Sequence, residues 1–238
     1  MTIALSPRFL ISILLTALLF AASSLSAQPS LAGAREFRAA PEDVIQPVDL
    51  PPIGKWMIAP DLQPAHWLGE IYENKKLREP INVVIVDAYS RTPQEAKAAL
   101  LQAATQSGFP SREGHSGGYW GWIGDRLHPQ FPDAPAHAFS DEPYELNNNH
   151  GRFFGPYRFQ DAFIFVGAVS REKVAPLSMP RHQYVSFNRG RDTFAEAMDL
   201  HSAFHRIAFV NLDNALIDRP DLGTGDHDGM AAVLTRRP

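Results

Sequence analysis

The stretch Glu145–Lys173, ELNNNHGRFFGPYRFQDAFIFVGAVSREK, decides how the rest of the chain is read. A polar run, Asn147-Asn148-Asn149-His150, leads into Gly151-Arg152-Phe153-Phe154. Gly155-Pro156 is a turn signal, and Ala162 to Val169 is an apolar run of strand character. The pattern predicts two strands joined by a short irregular connection. His150 and Arg152 stand two apart, so they share one face of the first strand.

Before this stretch, Ile81 to Val86 (INVVIV) is a β-branched run between Pro80 and Asp87, expected as a strand buried on both faces. Thr92-Pro93-Gln94-Glu95 is a capping box with proline at the first helical position. The helix it opens runs to about Ser107, and Gly108 ends it. Tyr119 to Ile123 reads as a short strand, and Leu127 to Pro143, rich in proline, as a long surface loop and candidate lid. After the stretch come a strand at Gln183 to Phe187 and a second capping box at Thr193-Phe194-Ala195-Glu196. Strands at Ile207 to Val210 and Gly229 to Leu234 complete the series. The sum is an α+β fold: a single mixed sheet with two main helices and long Pro/Gly-rich loops.

Towards the N-terminus, Asp61 to Glu79 reads as a short helix or turn carrying Trp67, Leu68, Ile71 and Tyr72. Residues 28–60 carry recurrent prolines and read as an extended arm or linker, with residues 61–238 as the folded domain. Trp56 and Trp67 suit aromatic packing or ligand stacking. Arg8 precedes an apolar run, Phe9 to Ala22, followed by small residues up to Ala27. That run is shorter than the roughly 20 residues of a membrane helix and matches a secretory h-region. Residues 1–27 are therefore expected to be a cleaved signal peptide. The expected location is periplasmic or secreted, with no membrane span left after cleavage.

The chain has no cysteine, which excludes disulfides and thiolate metal sites. A net charge of −4 makes it a poor binder of phosphate backbones, so nucleic acid is not an expected partner.

Four constellations carry chemical interest. Gly114-His115-Ser116-Gly117-Gly118 spells the nucleophile elbow but lacks the strand before it and the helix after it. His201-Ser202-Ala203-Phe204-His205 has metal-ligand spacing without the glutamate of a zinc protease. Asp226-His227-Asp228-Gly229 begins like a calcium loop but has no twelfth-position glutamate, and reads as an Asx turn. His150, Arg152, His182 and Arg191 can converge on an anion, with the arginines as forks. They equally suit capping and salt-bridging groups that fix loops. No metal and no cofactor are expected.

The order of motifs resembles the LssY-like C-terminal domain. The resemblance rests on Pro80 to Val84, the alanine-rich helix, the His150-x-Arg152 strand and Phe165 to Ser170. It also takes in His182, Arg191-Asp192 and Asp228 to Leu234. It covers about Glu79 to Leu234 and implies a bacterial envelope setting with no firmly assigned activity. Asn149-His150 and His182-Gln183 stand where that family tends to have paired histidines, and Arg152-Phe153-Phe154 where it tends to have Arg-x-Trp. The expectation is an envelope accessory or ligand-binding protein, taking an envelope component or an anionic small ligand. The alternative is a hydrolase of an ester or phosphoester, working through His150 and His182 or through Ser116. The two part on whether Ser116, His150 and His182 share a cleft.

Overall fold

The computed structural model describes residues 31–178 and 181–237. The expected signal peptide lies outside them. Among the described residues, no helix is long and apolar enough to cross a membrane.

The chain folds as α+β around a large, curled mixed sheet of twelve strands, with a separate sheet of three. Five strands form its centre. We call them β1 (Val83–Asp87), β2 (Asn148–Phe159), β3 (Ala162–Val174), β4 (Phe204–Asn211) and β5 (Met230–Arg236). Their order is β2-β3-β1-β5-β4. All pairings are antiparallel except β1 with β5.

Alternation along β1 sends Val83 and Ile85 to one face and Val84 to the other, and both faces are covered. On one side lie α1 (Pro93–Gln106) and α2 (Phe187–His201), whose Ala96, Leu100, Phe194 and Met198 pack on Phe153, Phe165 and Leu234. The other side packs Ile53, Met57 and Ile81 against Phe154, Ile164 and Val166. Asn82, fully buried, closes the join by donating to Val169 O at 2.8 Å and accepting from Val169 N at 3.0 Å. Thr92 caps α1, as the capping box requires.

Several sequence expectations change. Gly155-Pro156 does not end the strand: β2 runs through it with a register shift between Phe154 and Tyr157. The reversal falls at Gln160-Asp161, where Gln160 has φ 50°. A Gly-Pro pair serves a bulge as well as a turn, and only pairing with β3 tells them apart. α2 starts at Phe187, because Ser186 accepts from Arg189 N at 2.8 Å, so Thr193 lies inside the helix. The proline-rich loop contains strands Arg126–Phe131 and Ala138–Ser140, recruited by the neighbouring strands Trp120–Ile123 and β2. Residues 66–78 form a hairpin, His66–Tyr72 with Lys75–Arg78, turning at Glu73 and Asn74, both at positive φ. The proline-rich segment packs into the body. Ile53 pairs with Ile123, and Trp56, Met57 and Ile58 are buried.

Candidate functional site

The β2–β3 register builds the site. Asn148 lies opposite Glu172, His150 opposite Ser170 and Arg152 opposite Ala168. Residues directly opposite in an antiparallel pair project to the same face. One row therefore carries Asn148, His150, Arg152 and Glu172 on the side away from the helices. The strand His182–Ser186 extends the sheet beyond β3 and adds His182. The loop after Arg112 brings His115 and Ser116, and the hairpin region brings Trp67 and Glu79. Together with Tyr144 these groups line a cavity of about 840 Å³.

Hydrogen bonds fix most of the polar groups. Asn148 Nδ2 donates to Glu172 Oε1 at 2.7 Å and to Leu146 O at 3.0 Å. Its Oδ1 is thereby the acceptor for His150 Nδ1–H at 3.0 Å. Glu172 Oε1 also accepts from His182 Nδ1 at 2.9 Å. With that proton on Nδ1, His182 Nε2 carries a lone pair, and it is buried without a partner. His115 Nε2 is likewise buried without a partner. Aromatic contacts hold the rings. Tyr144 stacks on His182 at 3.9 Å, His115 lies 4.8 Å from His150, and Trp67 backs His150 at 5.9 Å.

Burial governs the charges. His150 is held well below the usual imidazole range by desolvation, then by Arg152 and the neighbouring histidines. His115 is lowered to about 3 by the same causes. Glu79 is pushed up to about 7, because burial outweighs the attraction of Arg152 and Glu172 adds repulsion. The cavity thus pairs the neutral imidazoles of His115 and His150 with two arginines, Arg152 and Arg181, and two carboxyl groups of different environment.

Of the four residues expected to bind an anion, His150, Arg152 and His182 meet in the cavity and Arg191 does not. Arg191 is committed to Asp228 (2.6 and 3.1 Å), Asp192 (2.8 Å) and Met230 O (2.8 Å), a clamp between α2 and the start of β5. Arg152 is only partly free. Its Nε and one terminal nitrogen donate to Ser116 O and Oγ at 3.1 and 3.0 Å, and its guanidinium lies 5.0 Å over Tyr119. Ser116 Oγ accepts from Arg152 and from Tyr119, at 3.2 Å, and has no imidazole partner. The motif is preceded only by a two-residue strand, Ser111–Arg112, and is followed by strand Trp120–Ile123 rather than by the helix of a nucleophile elbow. The His201/His205 pair dissolves, since His201 ends α2 while His205 sits in β4 bonded to Asp199 at 2.9 Å. Asp228 makes the Asx turn, accepting from Met230 N at 2.9 Å. Leu127 to Pro143 does not line the cavity, and Tyr144 just beyond it does.

Sequence reading passed over His115, Glu172, Glu79 and Tyr144. Glu172 was out of its reach: pairing counted from the turn sets Lys173 opposite Asn148, and only the shift at the Gly155-Pro156 bulge brings Glu172 there. His115 was masked by the serine motif around it. Comparison with protein-family models, curated proteins and solved structures found no match to this chain.

Proposed function

We propose that this chain is an exported envelope protein that hydrolyses a small anionic ester or phosphoester in the cavity beside β2 and β3. One observation carries the reading. His182 Nδ1 is bonded to the Glu172 carboxylate while its Nε2 is buried in the cavity wall without a partner. A carboxylate that orients an imidazole, leaving the second nitrogen bare, is the arrangement of a general base. Water then attacks the acyl carbon or phosphorus, and its proton passes to His182 Nε2. The C–O or P–O bond to the alcohol breaks, and Glu79, protonated up to about pH 7, supplies the proton the alkoxide needs. Arg152 faces the charge that develops on the substrate oxygens. The envelope setting is supported by the Arg8 and Phe9–Ala22 pattern and by the resemblance to the LssY-like C-terminal domain.

A second reading, a module that binds an anion without turnover, is favoured by His150, Arg152 and His182 lining one cavity. The test separates them. Wild type is assayed on chromogenic acetate, phosphomonoester and phosphodiester probes, alongside calorimetric titration with inorganic phosphate. Hydrolysis falling roughly 100-fold or more in His182→Gln, with KM little changed, supports the enzyme. Phosphate binding that is lost in Arg152→Ala and kept in His201→Ala, without turnover of any probe, supports the module.

A further inference from the structure

His115, His150 and Glu172 come from a loop and from two facing strands, and each offers a ligand-type atom. Those atoms lie within 4.8 Å of one another. The side chains are buried, at 3, 3 and 4% exposure. Buried polar groups ordinarily find hydrogen-bond partners. Here one of them does not, and the nearest approach of His150 to Glu172, Nδ1 to Oε1 at 3.9 Å, is between atoms that Asn148 holds. His115 Nε2 is sealed and unpartnered. His150 donates its Nδ1 proton to Asn148 Oδ1, and the two bonds made by Asn148 Nδ2 forbid the flipped amide. The remaining nitrogen of His150 is therefore a bare lone pair. Both hydrogen bonds to Glu172 fall on Oε1, which leaves Oε2 uncommitted. A histidine whose second ring N–H is held by a fixed carbonyl is the usual state of a metal-bound histidine.

We infer that His115, His150 and Glu172 bind a divalent first-row transition cation of the zinc type, with Asn148 as the positioning residue that orients two of the three ligands. Two imidazoles favour such an ion over magnesium or calcium, which prefer all-oxygen sites. Three protein ligands beside an open cavity leave room for water at the remaining position. Bonds of 2.0–2.2 Å in tetrahedral array set ligand atoms about 3.4 Å apart, so the widest pair must close by rotation of the side chains. Arg152 lies near enough to oppose the cation. That this ion activates the attacking water rests on the hydrolase reading; the binding itself does not.

The untagged full chain, stripped with chelator and checked by elemental analysis, is titrated calorimetrically with zinc and followed by absorption with cobalt(II). One ion per chain is expected, with visible bands of a nitrogen- and oxygen-ligated cobalt. His115→Ala and His150→Gln should each weaken zinc binding about 100-fold or more, His115→Asp should recover part of it, and Asn148→Ala should cost roughly 10- to 100-fold. His201→Ala should change nothing. Absence of stoichiometric binding, or equal affinity in His115→Ala and wild type with both folded by circular dichroism, overturns the site. Zinc bound by these residues without hydrolysis of any probe keeps the site and sinks the hydrolase. Hydrolysis undiminished in verified metal-free protein overturns the metal's catalytic role and keeps the hydrolase; zinc binding by these residues is then judged from the titration alone.

Discussion

Asn148 and Glu172 sit directly opposite each other on β2 and β3, and the amide donates to the carboxylate at 2.7 Å. This cross-strand pair ties the site together. Through Glu172 it reaches His182, and through its own carbonyl it sets His150. Asn148→Asp places a carboxylate against Glu172 and Leu146 O, turning two attractions into repulsions. We expect a loss of roughly 3 kcal/mol in urea unfolding, together with most of the hydrolytic activity. Unchanged stability and activity would show that the pair organises nothing.

Arg191 gives the contrasting case. Its side chain is 4% exposed and is clamped by Asp228, itself 43% exposed. Removing one partner of such a pair leaves the other uncompensated. Arg191→Ala should destabilise the fold by about 3 kcal/mol, at the low end for buried pairs because Asp228 reaches water. Phosphate affinity should stay at the wild-type value where the variant remains folded. A selective loss of phosphate binding would return Arg191 to the site.

Ser116 has two hydrogen-bond donors on its hydroxyl and no base to take its proton. A fluorophosphonate probe should leave the protein unlabelled, and Ser116→Ala should keep turnover within about threefold of wild type. Labelling that vanishes in Ser116→Ala would make Ser116 the nucleophile.

His227 links stability to pH outside the cavity. Its Nε2–H donates to Asn214 Oδ1 at 2.8 Å, while its Nδ1 is buried without a partner. Burial lowers its pKa from 6.5 to about 4, with Asp228 opposing the shift and Arg191 adding to it. The unfolded chain binds the proton more readily, so this contribution is complete above about pH 6.5 and is lost as pH falls towards about 4. The slope is at most about 1.4 kcal/mol per pH unit, near 3 kcal/mol over the window. Urea unfolding from pH 7.5 to 4.5 should show His227→Gln losing less stability than wild type. Parallel curves would mean that His227 titrates alike in both states.

Local chemistry was legible in the residues. The run Ile81 to Val86 declared a strand buried on both faces, Thr92 to Glu95 declared a capped helix, and the two-residue spacing placed His150 and Arg152 on one face. The mismatch of Gly114 to Gly118 with a nucleophile elbow was equally visible. Each follows from geometry set by a few neighbours along the chain: strand alternation, N-cap hydrogen bonds, a turn that needs flanking elements.

What only the tertiary structure decided is which distant groups meet. The Gly155-Pro156 bulge keeps β2 running and sets the β2–β3 register, and a shift of one residue would turn Glu172 away from Asn148. The strands between 126 and 140 exist because neighbouring strands recruit proline-bearing segments, and no local propensity encodes that. His115 reaches His150, 35 positions along the chain, through loop packing, while Arg191 is drawn off by Asp228. Pairing register and long-range contacts are properties of the assembled sheet, so the sequence by itself determined the central strands, the capped helix and their facing, and the fold supplied the remaining strands and selected the members of the site.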